Sequence, residues 1–173
     1  LKKLNEESNG SRDILAFVLI PANTYGPRKD LASRLKKNEA NGPLSTPFLT
    51  HGLNDLGYDP IINKIQDIHL SNEAAERVKL IFVPSYLDGR DGIINISYYD
   101  LLPAMDLGIF PSYYEPWGYT PQESIAFGVP AITTSLSGFG LWASQHSKGI
   151  EEGVEIVPRN DANYDQVVEN MTH

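Results

Sequence analysis

The chain has 173 residues, 41% hydrophobic, 10% aromatic and 21% charged, which suffices for a sizeable core in one domain, residues 1–173, and is too apolar for disorder. A net charge of −8 and a pI near 4.9 argue against a nucleic-acid or anionic-membrane surface, since both need a basic field. Cysteine is absent, so disulfides and thiolate metal sites are excluded, and a cytoplasmic location is expected.

The opening Leu1 to Leu4 is a short helix-like piece that suggests an excised or processed segment. No signal-peptide pattern follows it, and the longest apolar run, Ile14 to Ile20, is far too short to span a bilayer. Asp13 to Ala22 is continuously apolar and closed by Pro21, as expected of a strand covered on both faces of a parallel sheet. Pro27 suits the first turn of a helix that carries Leu31 and Leu35 and stops at Asn41-Gly42. The basic cluster Arg28, Lys29, Arg34, Lys36 and Lys37 is read as that helix's solvated face.

Residues 42–58 are rich in Gly and Pro and read as a long loop. His51 within it is read as structural or solvated, because no metal partner or nucleophile stands nearby in sequence. Asp59 and Pro60 are an N-cap and N1 pair for a helix with Ile61, Ile62, Ile65 and Ile68 at near-helical spacing. Val78 to Val83 is the second strong strand. Asp88-Gly89-Arg90-Asp91-Gly92 lacks calcium-loop spacing and reads as a turn. Ser97 can cap a helix to Met105 that Pro103 kinks or shortens.

The densest stretch runs from Leu107 to Glu123. An apolar strand, Leu107 to Phe110, feeds an aromatic, Pro- and Gly-containing loop, and Thr120-Pro121 opens a helix. Ala131 to Thr134 is a further short strand, Ser137 to Gly140 a turn, Leu141 to Ala143 a helix start, Val154 to Val157 a last strand, and Asn163 to Met171 a terminal helix. Five strands alternating with helices predict an α/β fold, a Rossmann-like parallel sheet with flanking helices. Ligands of such sheets sit outside the carboxyl ends of the strands, where helix N-termini offer free N–H groups.

Gly118 would let the backbone approach a ligand, and the N–H groups of Tyr119 and Thr120 stand at the helix's positive end, where a phosphate fits. Neither a Walker nor a dinucleotide fingerprint is present. Thr120 to Glu123 matches a capping box, and on the residues alone capping is the favoured duty of Glu123. Glu115 has no comparable structural duty, and function or solvent exposure remain equal readings. Trp117 reads as packing. Tyr98 or Tyr99 could stack on a base, with a core role the stronger reading for either.

The run Leu107 to Glu123, followed by Gly128-Val129-Pro130, Thr133-Thr134 and Leu136 to Gly140, closely resembles the fungal and animal type of glycogen synthase. Thr50 to Asp55, Asp59 to Asn63 and Val78 to Phe82 are similar to the same family, and the likeness reaches from Leu1 to about Arg159. The resemblance implies a retaining glycosyltransferase of two Rossmann-like domains, of which this chain is most of the C-terminal, donor-binding one, with the first strand missing. Glucose would pass from UDP-glucose to the 4-hydroxyl of an α-1,4-glucan.

By the same resemblance Glu115 faces the glucosyl unit as the catalytic carboxylate, and Glu123 faces the ribose hydroxyls. Tyr98 matches a uracil-stacking tyrosine, and the backbone at Gly118, Tyr119 and Thr120 holds the diphosphate. No metal and no cofactor are expected. Partners are the nucleotide sugar and the α-glucan, with neither nucleic acid nor membrane, and the parent is admitted to homo-oligomers. The family's basic Arg and Lys, its acceptor domain and its arginine-rich regulatory helix find no match here, so the fragment alone is expected to be inactive. The alternatives are another nucleotide-sugar transferase of the same fold, or a non-catalytic nucleotide-binding or glycogen-associated module.

Overall fold

The computed structural model of the chain describes residues 1–6, 12–39 and 44–172, and its contacts divide it into two compact units, Leu1–Tyr98 and Tyr99–His173. The first contains α1 (Lys2–Glu6), β1 (Ile14–Leu19), β2 (Thr24–Pro27), α2 (Lys29–Lys37), β3 (His51–Leu53), α3 (Pro60–Asp67) and β4 (Val78–Val83). The division falls inside α4 (Tyr98–Leu101). The second unit continues with β5 (Gly108–Ile109), α5 (Tyr119–Ala126), β6 (Ala131–Thr134), α6 (Gly138–His146), β7 (Val154–Val157) and α7 (Tyr164–Asn170).

In the first unit β1 and β4 pair in parallel from Ile14↔Val78 to Leu19↔Val83. On the other side of β4, Phe82 N–H donates to the Phe48 carbonyl at 2.7 Å, and Thr50 N–H donates to the Phe82 carbonyl at 3.1 Å. β4 is therefore held from both edges. Its Leu80 and Phe82 join Phe48, Leu49, Leu53, Ile62, Ile65 and Leu70 in the buried core. The strand expected to be covered on both faces, β1, is not: none of its residues is buried and Leu15 is 57% exposed. β4 is the strand that the fold covers, with Val78, Leu80, Phe82 and Val83 buried. An apolar run specifies the strand, while its cover depends on what packs against it.

Asp59 caps α3 as its sequence demands: one carboxylate oxygen accepts the N–H groups of Ile61 and Ile62, both at 2.9 Å. Ile62 and Ile65 then face the core. The other end of the unit departs from expectation. Pro27 closes β2 rather than opening a helix, and α2 ends at Asn38, whose left-handed φ of 54° stops it earlier than expected. The anticipated stop at Asn41-Gly42 lies outside the described residues. Within the stretch read as a loop, β3 pairs antiparallel with β2. The Tyr25 ring lies over Gly52, where an added Cβ would meet its Cζ at 2.1 Å, so an aromatic side chain supplies the packing that glycine lacks.

The second unit is a parallel sheet in the order β5-β6-β7, with α5 and α6 as the crossovers. Such neighbours cannot be joined by a tight hairpin, and each connection here carries a helix. Phe139, Ala143 and Val154 form its buried cluster, with Trp117, Ile125 and Ile156 packed against it. Pro103 shortens α4, which passes into a 3-10 turn over Leu102–Ala104. Ser137 to Gly140, expected as a turn, instead begins α6: Ser137 is its N-cap, and its Oγ accepts Gly140 N–H at 2.9 Å. Parallel sheets flanked by helices make the chain a mixed α/β protein of the Rossmann-like kind.

Candidate functional site

The loop after β5 is laced to the start of α6 through its backbone. Glu115 N–H donates to the Leu136 carbonyl at 3.2 Å, Gly138 N–H to the Glu115 carbonyl at 3.1 Å, and Phe139 N–H to the Trp117 carbonyl at 2.7 Å. This approach needs glycine at 138, since a Cβ there would stand 2.2 Å from the Pro116 carbonyl oxygen. The loop's first half is held by Thr134, whose hydroxyl donates to the Ser112 carbonyl at 2.6 Å, and by Arg159, whose guanidinium donates to the Pro111 carbonyl at 2.7 Å. Arg159 also lies 4.8 Å over the Tyr113 ring, and the Tyr113 hydroxyl donates to Asp161.

Gly118 ends the loop and is the N-cap of α5, with φ 91° and ψ 79°. Its missing Cβ leaves room for Glu115, whose Cγ would otherwise be 3.2 Å away. The stem of Glu115 thus lies against the N-terminus of α5, while the residue as a whole is exposed. The first N–H groups of a helix have no intrahelical acceptor, and Pro121 has no N–H at all, so Tyr119 and Thr120 carry the first-turn donors. Both residues are exposed. A carboxylate beside a helix N-terminus can stabilise developing positive charge while the helix holds a departing anion.

The capping-box reading of Glu123 fails on register. With Gly118 as N-cap the third helical residue is Pro121, and Glu123 lies in the second turn, about 6 Å along the axis from Tyr119 at ~1.5 Å per residue. Its Oε1 instead accepts the Tyr99 hydroxyl at 2.9 Å. Trp117 packs as expected: it meets Phe139 edge-on at 6.1 Å, and its indole N–H donates to Gln122 Oε1 at 2.9 Å.

Five of the six residues singled out by sequence, Glu115, Gly118, Tyr119, Thr120 and Glu123, belong to the second unit and gather around α5. Tyr98 closes the first unit, half-buried, with its N–H donating to the Leu87 carbonyl at 2.9 Å. The loop before it is tied down. Asp91 accepts N–H groups from Ile93, Ile94 and Asn95 at 3.0, 2.8 and 2.6 Å, and Asp88 bridges Ser97. The Asp91 carbonyl accepts from Nε2 of buried His51 at 2.9 Å, so Nε2 must carry a proton. His51 is thereby structural, as read from the sequence. Burial opposes ionisation of Asp91, but the N–H bonds from Ile94, Asn95 and Ile93 outweigh it, with His51 adding a smaller charge effect, and the carboxyl is held below its ordinary value.

Sequence reasoning missed Tyr99 as the partner of Glu123. The adjacent tyrosines were visible, but a bond across 24 positions leaves no periodic signal. Among the described residues no group of three or more His, Asp or Glu side chains could hold a metal ion, and no helix is long and apolar enough to cross a membrane.

Parallel βαβ units with a carboxylate-bearing turn at a helix N-terminus define a Rossmann-like protein of the kind that binds a ligand beyond its strand ends. The family described as glycogen synthase matches residues 35–173, and the chain belongs to that family. It is 41% identical over 128 residues to glycogen (starch) synthase isoform 1 of Saccharomyces cerevisiae, covering 72% of this chain and 18% of that protein. It is 39% identical over 127 residues both to the glycogen (starch) synthase of Neurospora crassa and to the human liver enzyme, covering 73% of the chain and 18% of each. The chain therefore spans about a fifth of the length of these relatives. The family match begins later than the likeness read from the sequence and extends beyond Arg159.

Proposed function

We propose that this chain is the donor-binding part of a glycogen synthase that transfers glucose, with retention, from UDP-glucose to the 4-hydroxyl of an α-1,4-glucan. The observation that carries the reading is the position of Glu115 against Gly118 at the N-terminus of α5, in a chain of this family. On this reading Glu115 faces the glucosyl unit, where an oxocarbenium-like charge develops, and its carboxylate stabilises that charge. The N–H groups of Gly118, Tyr119 and Thr120 receive the diphosphate as it leaves. Glu123 takes the ribose hydroxyls and Tyr98 stacks on the uracil.

Net charge −8 gives no attraction at long range, so the dianionic donor is held by these local dipoles, together with basic groups of the complete enzyme. The reaction requires no cofactor and no metal on this reading, and the partners are nucleotide sugar and glucan. The setting is cytoplasmic, and residues 1–173, with both compact units, serve as one nucleotide-sugar-binding domain. The test is calorimetric titration of the complete enzyme with UDP-glucose and ADP-glucose, alongside turnover on glycogen. Glu115→Ala is expected to abolish turnover while donor still binds, and Glu123→Ala to weaken donor binding about tenfold or more. Unchanged turnover in the first variant would overturn the reading.

A further inference from the structure

We infer that Tyr99 is a positioning residue for Glu123: its hydroxyl fixes one carboxylate oxygen and presents the other to the donor. The inference rests on the reading of Glu123 as a ribose ligand given above. Three observations carry it. The Tyr99 hydroxyl donates to Glu123 Oε1 at 2.9 Å, within the range of an O–H···O hydrogen bond. The Tyr99 ring is itself fixed, stacked on Phe127 with centroids 5.6 Å apart and planes 16° from parallel. Among the described residues Tyr99 is the only one bonded to that carboxylate, which accepts at two oxygens and so retains Oε2 for a ligand hydroxyl.

The arrangement has a physical purpose. A glutamate in the second turn of a helix has three side-chain torsions, and binding a ligand hydroxyl would have to freeze them. A hydrogen bond made in advance removes much of that cost before the ligand arrives. Phe127 follows Glu123 by four positions, one helical turn, so the stacked ring and the carboxylate share a face of α5 and its end. Tyr99 spans the two, its ring on Phe127 and its hydroxyl on Glu123. The hydrogen bond to Glu123, and then the charge of Glu123, hold the Tyr99 hydroxyl above its ordinary range. It therefore remains a donor throughout the neutral range.

Positioning acts on donor binding rather than on the bond that breaks, so it should divide the kinetic constants. In the complete enzyme Tyr99→Phe keeps the ring on Phe127 and removes only the hydroxyl. We expect it to raise KM and Kd for UDP-glucose about 3- to 10-fold with kcat within about twofold. Glu123→Ala should raise Kd further, and adding Tyr99→Phe to it should change Kd by less than about 1.5-fold, because the hydroxyl acts through the carboxylate. A Kd unchanged in Tyr99→Phe, or an effect retained in full in the Glu123→Ala background, would overturn the inference. If Glu123→Ala itself binds donor normally, the ribose reading fails instead, and positioning falls with it. Should Tyr99→Phe not fold, Phe127→Leu, which frees the ring but leaves the hydroxyl, takes its place under the same expectations.

Discussion

Two glycines decide the shape of the turn, for different reasons. Gly118 sits at φ 91°, which a side chain tolerates poorly, and an added Cβ would come 3.2 Å from Glu115 Cγ. That neighbour is the stem of an exposed side chain and can yield. Gly138 has an unexceptional φ, but its Cβ would stand 2.2 Å from the Pro116 carbonyl oxygen, in a loop that backbone bonds at Glu115 and Trp117 on either side hold in place. Gly118→Ala should therefore cost about 1–2 kcal/mol, the usual penalty of left-handed backbone, and displace Glu115. Gly138→Ala should cost more, about 3 kcal/mol, because backbone must separate from backbone. Urea unfolding with an unchanged slope checks both, and equal costs would show that the loop gives way as easily as a side chain.

The helix starts show which elements the amino-acid order announces. α3 is declared locally: Asp59, Pro60 and the isoleucines at 61, 62 and 65 fall within seven consecutive positions and need nothing distant. β4, β6 and β7 are short runs rich in β-branched residues, each abutting a Pro or Gly at one end at least (Pro84, Pro130, and Gly153 with Pro158), and are equally local. α5 itself is legible in the sequence, but its cap is not, because the N-cap is a glycine with no side chain to reveal it, while Thr120 and Glu123 imitate a box two residues downstream. β2 and β3 leave no mark in the sequence because Gly26 pairs with Gly52 across an irregular register and the Tyr25 ring covers Gly52 from a distance in sequence, and none of these residues alone marks a strand. Of the site, Glu115, Gly118 and Glu123 stood out in the sequence by motif. The Tyr99 bond and the 113–118 to 136–139 lacing are long-range and did not. A paired substitution separates cap from imitation: Asp59→Ala should lower stability by about 1 kcal/mol, whereas Thr120→Ala should stay within about 0.5 kcal/mol. A loss near 1 kcal/mol at Thr120 would restore it as a cap.

For the whole chain, acid acts twice, in two pH ranges. Net charge −8 at neutral pH keeps molecules apart, and the repulsion vanishes near the pI of about 4.9, where the chain should be least soluble while still folded. Stability responds lower down. The Asp91 carboxyl is depressed in the folded state from an ordinary 3.8, so the folded protein binds fewer protons there than the unfolded chain. Its contribution is complete above about pH 3.8 and is lost as pH falls through the lower, folded value. The urea midpoint should thus hold nearly level for this group down to the ordinary carboxylate range and then slide. Asp91→Asn removes the charge that three N–H groups address, so it should be less stable at pH 7 by about 2 kcal/mol and show a shallower slide. Light scattering with urea melts at pH 7, 4.9 and 3 separates the two effects. If Asp91→Asn lost stability below the carboxylate range as steeply as the parent, the acid sensitivity would have to lie in other carboxylates.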